Sequence, residues 1–311
     1  MTLNAVSTST LQDEVASATA GEPCFPPAVG EQLRLRANHL KMLPAIAMQA
    51  LDIAKDPDCV IGDFVSVIER DATLAADILR IANSVLFGGG RTVMNLHRAV
   101  VRVGLRQCKS LIIASSFSSM MKSMTLEEEW VRELLWQHSF TTALLSLHVN
   151  RSLNVGFQGE EFAAGLIHDI GRMLLATCFP DQFPSIDSMD FDEGPQTLLI
   201  EQNAIETNHC EVGVWFAQRN SLPEPLIDTV RFHHCPERSP RNRRLVALVA
   251  TCDHMANHLQ RDDGGSYDPQ GNPSLELLEK CGVPNATSCF VKIASTVMET
   301  AKRDAAEMLS V

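Results

Sequence analysis

Seven residues of the 311-residue chain carry the side chains best suited to metal chemistry: His138, the pair His168-Asp169, His209, the pair His233-His234, and Asp253. Imidazole and carboxylate together suit borderline divalent or iron-type ions such as Fe, Mn or Zn. Neighbouring residues on a helix point about 100° apart. A His-Asp or His-His pair can therefore reach two adjacent ions, or one ion and a bridging position. Two ions about 3.5–4 Å apart can polarise a phosphoryl oxygen and generate hydroxide from water. Against this stands the ordinary reading, in which each histidine is a satisfied core or surface residue. That ordinary reading is the one adopted for His39, His97, His148, His254 and His258.

These residues need helices to carry them. In the first hundred residues apolar side chains recur at three- and four-residue steps: Leu33, Leu40, Leu43, Ile46, Ala50, Ile53. Pro44 suits a first helical turn. Asp63 opens a helix with Phe64, Val67 and Ile68 inward, and Thr73 one with Leu74, Ile78 and Leu79 inward. Asn95 is a cap before Ala99, Val100 and Val103, and Gly104 ends that helix or lets it pack closely. Gly88–Gly90 form a turn, and 105–121 is nearly all apolar on one side.

A second helical block follows, after Lys122, Ser123 and the acidic run Glu127–Glu129 interrupt the apolar pattern. Thr125 and Glu128 fit a capping box for a helix reaching about Val149. Further helices are expected over 160–177, 192–205, 208–219, 223–234 and 241–259. Residues 261–274 read as a Gly/Pro/Asp-rich surface loop, and 275–311 as two closing helices. No alternating pattern suggests strands and no fixed-period repeat occurs. The fold expected is all-α. Its organisation would be a loosely ordered tail (1–24), a helical N-terminal subdomain (25–124), a helical bundle (125–260), and a loop with closing helices (261–311).

Composition narrows the function classes. Hydrophobic residues make up 45% and charged residues 21% of the chain, the balance of a globular protein. Lys and Arg number 26 against 38 Asp and Glu, a net charge of −12. Such a field repels phosphate backbones, so general nucleic-acid binding is not expected. No apolar run is long enough to cross a membrane, and the N-terminus lacks the basic and apolar regions of a signal peptide. The nine cysteines are scattered without a CxxC, which reads as reduced cytosolic thiols rather than a Cys-type zinc site. NSVLFGGGR (83–91) has three glycines but not the spacing of a phosphate loop. Arg231, Arg238 and RNRR (241–244) form a basic cluster, read as a solvated helix start that could also meet an anion. Met120, Met121 and Met124 beside Phe117 read as core filler.

The segment GLIHDIGRMLL (165–175) carries the HD signature of the HD phosphohydrolase superfamily. The order His138, His168-Asp169, His209, His233-His234, Asp253 resembles the pattern of its HD-GYP branch. The first block resembles the HDOD family, the HD-related output domain of bacterial signalling. The stretches that carry this resemblance are LPAIAMQALDIAKDPD (43–58), RDATLAADILRIANSVLFG (70–88), NLHRAVVRVGLRQCKSLII (95–113) and HCEVGVWFAQRNSLPEPLIDTVRFHH (209–234). It covers about residues 40–260. Asp71-Ala72-Thr73-Leu74 stands where the family has Asp-Pro-x-Leu, and Asn83-Ser84 matches its Asn-Ser.

The resemblance implies an HD-type helical bundle carrying a helical N-terminal subdomain. It also implies a possible pair of divalent metals (Fe, Mn or Zn) on His138, His168, Asp169, His209, His233, His234 and Asp253, with Asp169 bridging. Three departures weaken a hydrolytic expectation. CPERSPRNRR replaces the GYP segment after His233-His234. Arg172 stands where hydrolytic relatives carry Lys, a planar fork in place of a point charge. Leu134 stands where HD-GYP relatives place an acidic ligand. The function expected is thus a cytoplasmic, non-catalytic signal-transduction output module working through signalling-protein partners. The alternative is a metal-dependent phosphohydrolase or cyclic-dinucleotide phosphodiesterase, with Asp169 and Arg172 at the reaction centre.

Overall fold

A computed structural model describes residues 23–309 apart from 38–39, 55, 57, 84–91, 125, 195 and 262–264. Residues 1–22 of the expected tail (1–24), the Gly88–Gly90 turn, Ser84, His39 and the Thr125 half of the capping box lie outside the described residues. The regular structure is all helical, with no strand among the described residues.

The first block holds α2 (Ala45–Ile53), α3 (Ile61–Ile68), α4 (Ala72–Ala82), α5 (Leu96–Val103) and α6 (Leu105–Ser123). The Asp71 side chain caps α4, accepting from the Leu74 N–H at 3.0 Å, and Asn95 caps α5 in the same way through the Arg98 N–H at 3.0 Å. Each cap satisfies a backbone donor that the first turn leaves unpaired. Gly104, at φ +89°, ends α5 and turns the chain directly into α6. That left-handed angle is open to glycine and costly for residues with a Cβ. Asn83 makes a double link to Val93, donating to its carbonyl at 2.8 Å and accepting its N–H at 2.7 Å.

The second block is built around α7 (Glu129–Leu153), with α8 (Glu160–Ile167), α9 (Ile170–Cys178), α10 (Phe183–Ile186), α11 (Thr197–Ile205), α12 (His209–Arg219), α13 (Glu224–Phe232) and α14 (Arg243–Arg261). The closing helices are α15 (Leu275–Lys280) and α16 (Ala286–Leu309). The long α7 packs against α8, α14 and α16, while α9 packs against α12 and α13 against α8, α12 and α14. Its middle is buried almost all round: Ala143, Leu144 and Leu145 are fully inside. The two blocks meet where α6 packs on α8. The helix before them, α1 (Pro27–Arg36), packs on α9 of the second block.

Several elements differ from expectation. Helix α7 starts at Glu129 and runs to Leu153, with Glu128 at its N-cap and no side-chain cap bond, so Glu128 does not take the place expected of it in a capping box. The single helix expected over 160–177 is two helices, broken at His168-Asp169. Apolar periodicity runs through the break unchanged, so the break comes from packing rather than local propensity. The helix expected at 192–205 begins only at Thr197, because residues 187–194 are drawn into a loop over the candidate site. The loop at 261–274 is partly docked. Asn272 donates to the Thr251 carbonyl at 2.9 Å, and Tyr267 lies edge-on to His254 and Phe290.

Candidate metal centre

Each of the seven side chains is delivered by a helix end or by α7 and α14. His138 comes from the middle of α7 and Asp253 from the middle of α14. His168 and Asp169 occupy the break between α8 and α9, which lets two consecutive side chains face the same space. His209 is the first residue of α12, capped by Asn208, and His233 and His234 follow the last turn of α13. Two glycines allow these ends to meet. A Cβ on Gly171 would lie 1.8 Å from the His209 carbonyl oxygen, and one on Gly165 would lie 2.9 Å from the Ala143 Cα.

All seven converge, in two groups. His138, His168 and Asp253 form the first: Asp253 Oδ1 is 3.0 Å from His138 Nε2 and 3.4 Å from His168 Nε2, and the two Nε2 atoms are 3.3 Å apart. His209, His233 and His234 form the second: His209 Nε2 is 3.3 Å from His233 Nε2 and 3.0 Å from His234 Nε2. Asp169 stands between. Its Oδ2 is 3.7 Å from both His138 and His168, and its Oδ1 is 3.2 Å from His233 and 3.6 Å from His209. One carboxylate thus faces both groups, one oxygen to each.

The proton positions decide what the space suits. His138 Nδ1 lies 2.6 Å from Gln260 Oε1, and the Gln260 amide nitrogen donates to the Leu134 carbonyl, which fixes the amide's orientation. His168 Nδ1 lies 2.8 Å from the Gly165 carbonyl, His209 Nδ1 2.9 Å from Glu201, and His233 Nδ1 3.1 Å from the Val230 carbonyl. All four partners only accept at that position, so each Nδ1 carries the hydrogen. In the neutral rings, four Nε2 lone pairs then point inward at each other and at carboxylates. Such an arrangement is repulsive unless a cation fills it. The buried Asp169 Oδ1 has no hydrogen bond. The donor set therefore fits divalent metal: neutral imidazoles held from behind by acceptors are the usual metal-binding form.

The electrostatics show protons substituting for that charge. Burial disfavours a charged His168, but Asp169 and Asp253 outweigh it and push its pKa up to about 9. Burial likewise opposes a charged Asp169, yet His168, His233 and Arg172 hold it well below the usual carboxylate range. Asp253 is lowered by His138 and His168 in the same way. His234 is driven well down by burial and by its neighbours His233 and His209.

Several residues at the centre have neither the type nor the spacing that marks the seven in the sequence. Glu201 on α11 is buried and accepts from both the His209 backbone N–H and its Nδ1. Cys210 joins the second group, the ligand atoms of His209, Cys210, His233 and His234 lying within 4.8 Å of one another, though burial pushes its thiol pKa up. Arg172 does not face open space. It pairs bidentately with Asp187 at 2.8 and 3.0 Å, with Asp169 at 3.1 Å and with Glu193 at 2.7 Å, and lies over the Phe191 ring. Phe191 also stacks on His138, ring centroids 5.2 Å apart. Met189 and Phe191 adopt φ of +57° and +56°, a conformation costing roughly 1–2 kcal/mol per residue. No composition or periodicity marks a loop whose shape is set by one buried arginine.

The histidines read as structural are accounted for elsewhere. His148 pairs with Asp304 at 3.0 Å, His254 with the Tyr267 hydroxyl, and His258 lies against the Tyr267 ring. His97 is exposed. In the basic cluster, Arg244 lies over the Phe157 ring. All nine cysteines are free, and no helix among the described residues is long and apolar enough to cross a membrane.

Residues 40–236 match the HDOD domain. The chain belongs to the HDOD family. It is 22% identical to an HDOD domain protein of unknown function from Geobacter sulfurreducens, whose crystal structure superposes with a TM-score of 0.72 over 89% of this chain and 96% of that one. A proposed phosphohydrolase from Shewanella amazonensis SB2B is 20% identical, with a TM-score of 0.62 over 89% of this chain and 97% of that one. At these identities the likeness is one of fold. An uncharacterized protein of Treponema pallidum (strain Nichols) is 26% identical over 217 residues, 69% of this chain. This HDOD chain spans 42% of that relative's length.

Proposed function

We propose that this HDOD protein is a signal-transduction output module that binds two divalent ions in the His/Asp centre and uses them as a structural clip, not for hydrolysis. The observation that carries this reading is the occupation of Arg172. A hydrolase needs a free cation for substrate phosphate and an open coordination position. Here Asp169, Asp187 and Glu193 already neutralise Arg172, and Phe191 covers His138. Metal bound in such a closed site would contribute folding free energy.

Partners would then be proteins that read the helical surface. The first block presents Met48, Val60, Met94 and Val101 to solvent, apolar side chains that suit a protein partner. The net charge of −12 disfavours nucleic acid in that role.

Two measurements test the reading: elemental analysis of protein purified without chelator, and turnover of bis-(p-nitrophenyl) phosphate and cyclic dinucleotides with Mn or Fe added. Two equivalents of metal without multiple turnover is the expected result. Multiple turnover that disappears in Asp169→Ala would make the protein a phosphodiesterase.

A further inference from the structure

The loop over 187–194 contains a carboxylate oxygen with no evident role in holding the fold. Glu193 Oε1 accepts from Arg172 at 2.7 Å. The other oxygen, Oε2, is buried without any hydrogen bond, and the side chain is 10% exposed. It lies 3.9 Å from His234 Nε2. Two donor atoms on one ion, each about 2.1 Å from it, stand roughly 3–4 Å apart. The spacing is therefore one that a shared cation can span.

The loop is held so that Glu193 stays there. Arg172 grips Asp187 at its start and Glu193 near its end, and Arg261 of α14 pairs with Asp192 at 2.9 Å. Phe191, in its left-handed conformation, fills the space over His138. An unpaired buried carboxylate oxygen is costly unless a cation or a proton compensates it. Burial, with Asp253 and Asp169 nearby, pushes the Glu193 pKa up to about 8, and Arg172, the one cation that Glu193 contacts among the described residues, already binds its other oxygen. The second group otherwise has three imidazoles and one oxygen of Asp169.

We propose that Glu193 is a further ligand of the second ion, with His209, His233, His234 and Asp169, and that it takes the coordination position a hydrolase would leave open. The inference rests on the metal centre of the proposed function and gives that centre its closure. The ligand that the open position would otherwise accept is an oxyanion of the phosphate class. Arg172 would hold such an anion in the place where it now holds Glu193.

The test uses Co(II) with the full chain and two variants. Glu193→Gln keeps an oxygen for Arg172 and removes the charge. Glu193→Asp keeps the charge and withdraws it by one methylene. Wild type and both variants should take up two equivalents of Co(II). In each variant one of the two ions should bind at least about tenfold more weakly, with a changed visible spectrum. Inorganic phosphate should alter the spectrum of the variants and leave that of the wild type unchanged. Full uptake with the same spectra, affinities and phosphate response in all three proteins overturns the loop ligand while leaving the two-metal centre standing. A wild-type spectrum in Glu193→Asp also overturns it. No Co(II) uptake by any of the three overturns both the metal centre and this inference.

Discussion

Glu201 holds His209 at two points. Its carboxylate accepts the His209 backbone N–H at 2.7 Å and the ring Nδ1 at 2.9 Å. The first contact places a negative charge at the N-terminus of α12, where the helix dipole favours it. The second fixes the tautomer that leaves Nε2 free to bind. Glu201→Gln keeps the shape and removes the charge. Metal affinity measured by competition with a chelator should fall about 10–100-fold. An unchanged affinity would mean that Glu201 serves only the helix.

Asp169 faces both groups with one oxygen each. Asp169→Ala should therefore remove both ions together, while Asp253→Ala should weaken only the one shared with His138 and His168. Elemental analysis after dialysis distinguishes the two patterns. One equivalent retained by Asp169→Ala would contradict the bridging role.

Gly171 has no room for a side chain, since a Cβ would sit 1.8 Å from the His209 carbonyl oxygen. Gly171→Ala must push α9 and α12 apart. Overpacking of this kind costs about 3 kcal/mol or more when the obstacle is backbone. Denaturant unfolding should show that loss, and the variant should bind metal weakly even where it folds. Wild-type stability in Gly171→Ala would contradict the packing described for these two helices.

The metal-free protein should have a distinctive pH profile. His168 has a folded pKa of about 9, above an unfolded value near 6.5. Its contribution to stability is thus complete below about pH 6.5 and lost as pH rises through about 9. Asp169 and Asp253 are lowered, so their contribution is present above about pH 4 and lost as pH falls. The chelated protein should melt highest between these limits. Metal-loaded protein should behave oppositely at the alkaline end, because an ion must displace the protons and binds better without them. Melting curves at about pH 6 and 9, with and without chelator, check the sign. Parallel curves would exclude metal at these residues.

The helices and the seven converging side chains were legible because each rests on local signals. Three-and-four spacing marks the helices, Asn95 and Asn208 mark two of their starts, and adjacent His-Asp and His-His pairs mark the chemistry. What surrounds them was not legible, because it depends on contacts between distant residues. His138 finds Gln260 across 122 residues of chain. Arg172 finds Asp187 and Glu193 in a segment whose pattern reads as ordinary helix and turn. The break at His168-Asp169 is likewise invisible in an apolar run that continues on both sides, and becomes intelligible only when α12 is seen pressing on Gly171.

The docking of α1 on α9 means that the order of the blocks along the chain is not their order in space. Arg36 reaches the Thr177 carbonyl across 141 residues, Phe25 meets Trp215 edge-on, and the Met42 N–H donates to Asn220. The first block is thereby an excursion between two parts of the second. A fragment cut at the 124/126 junction would leave the metal-bearing bundle without Phe25, Val29 and Leu33 and with an apolar scar in their place. A better minimal unit would join α1 to α7 through a short linker and omit everything between. In the intact chain, closing so long a loop has an entropic cost that local contacts cannot offset early. The α1 strap should therefore lock in last, and its release would be the first step by which the bundle opens.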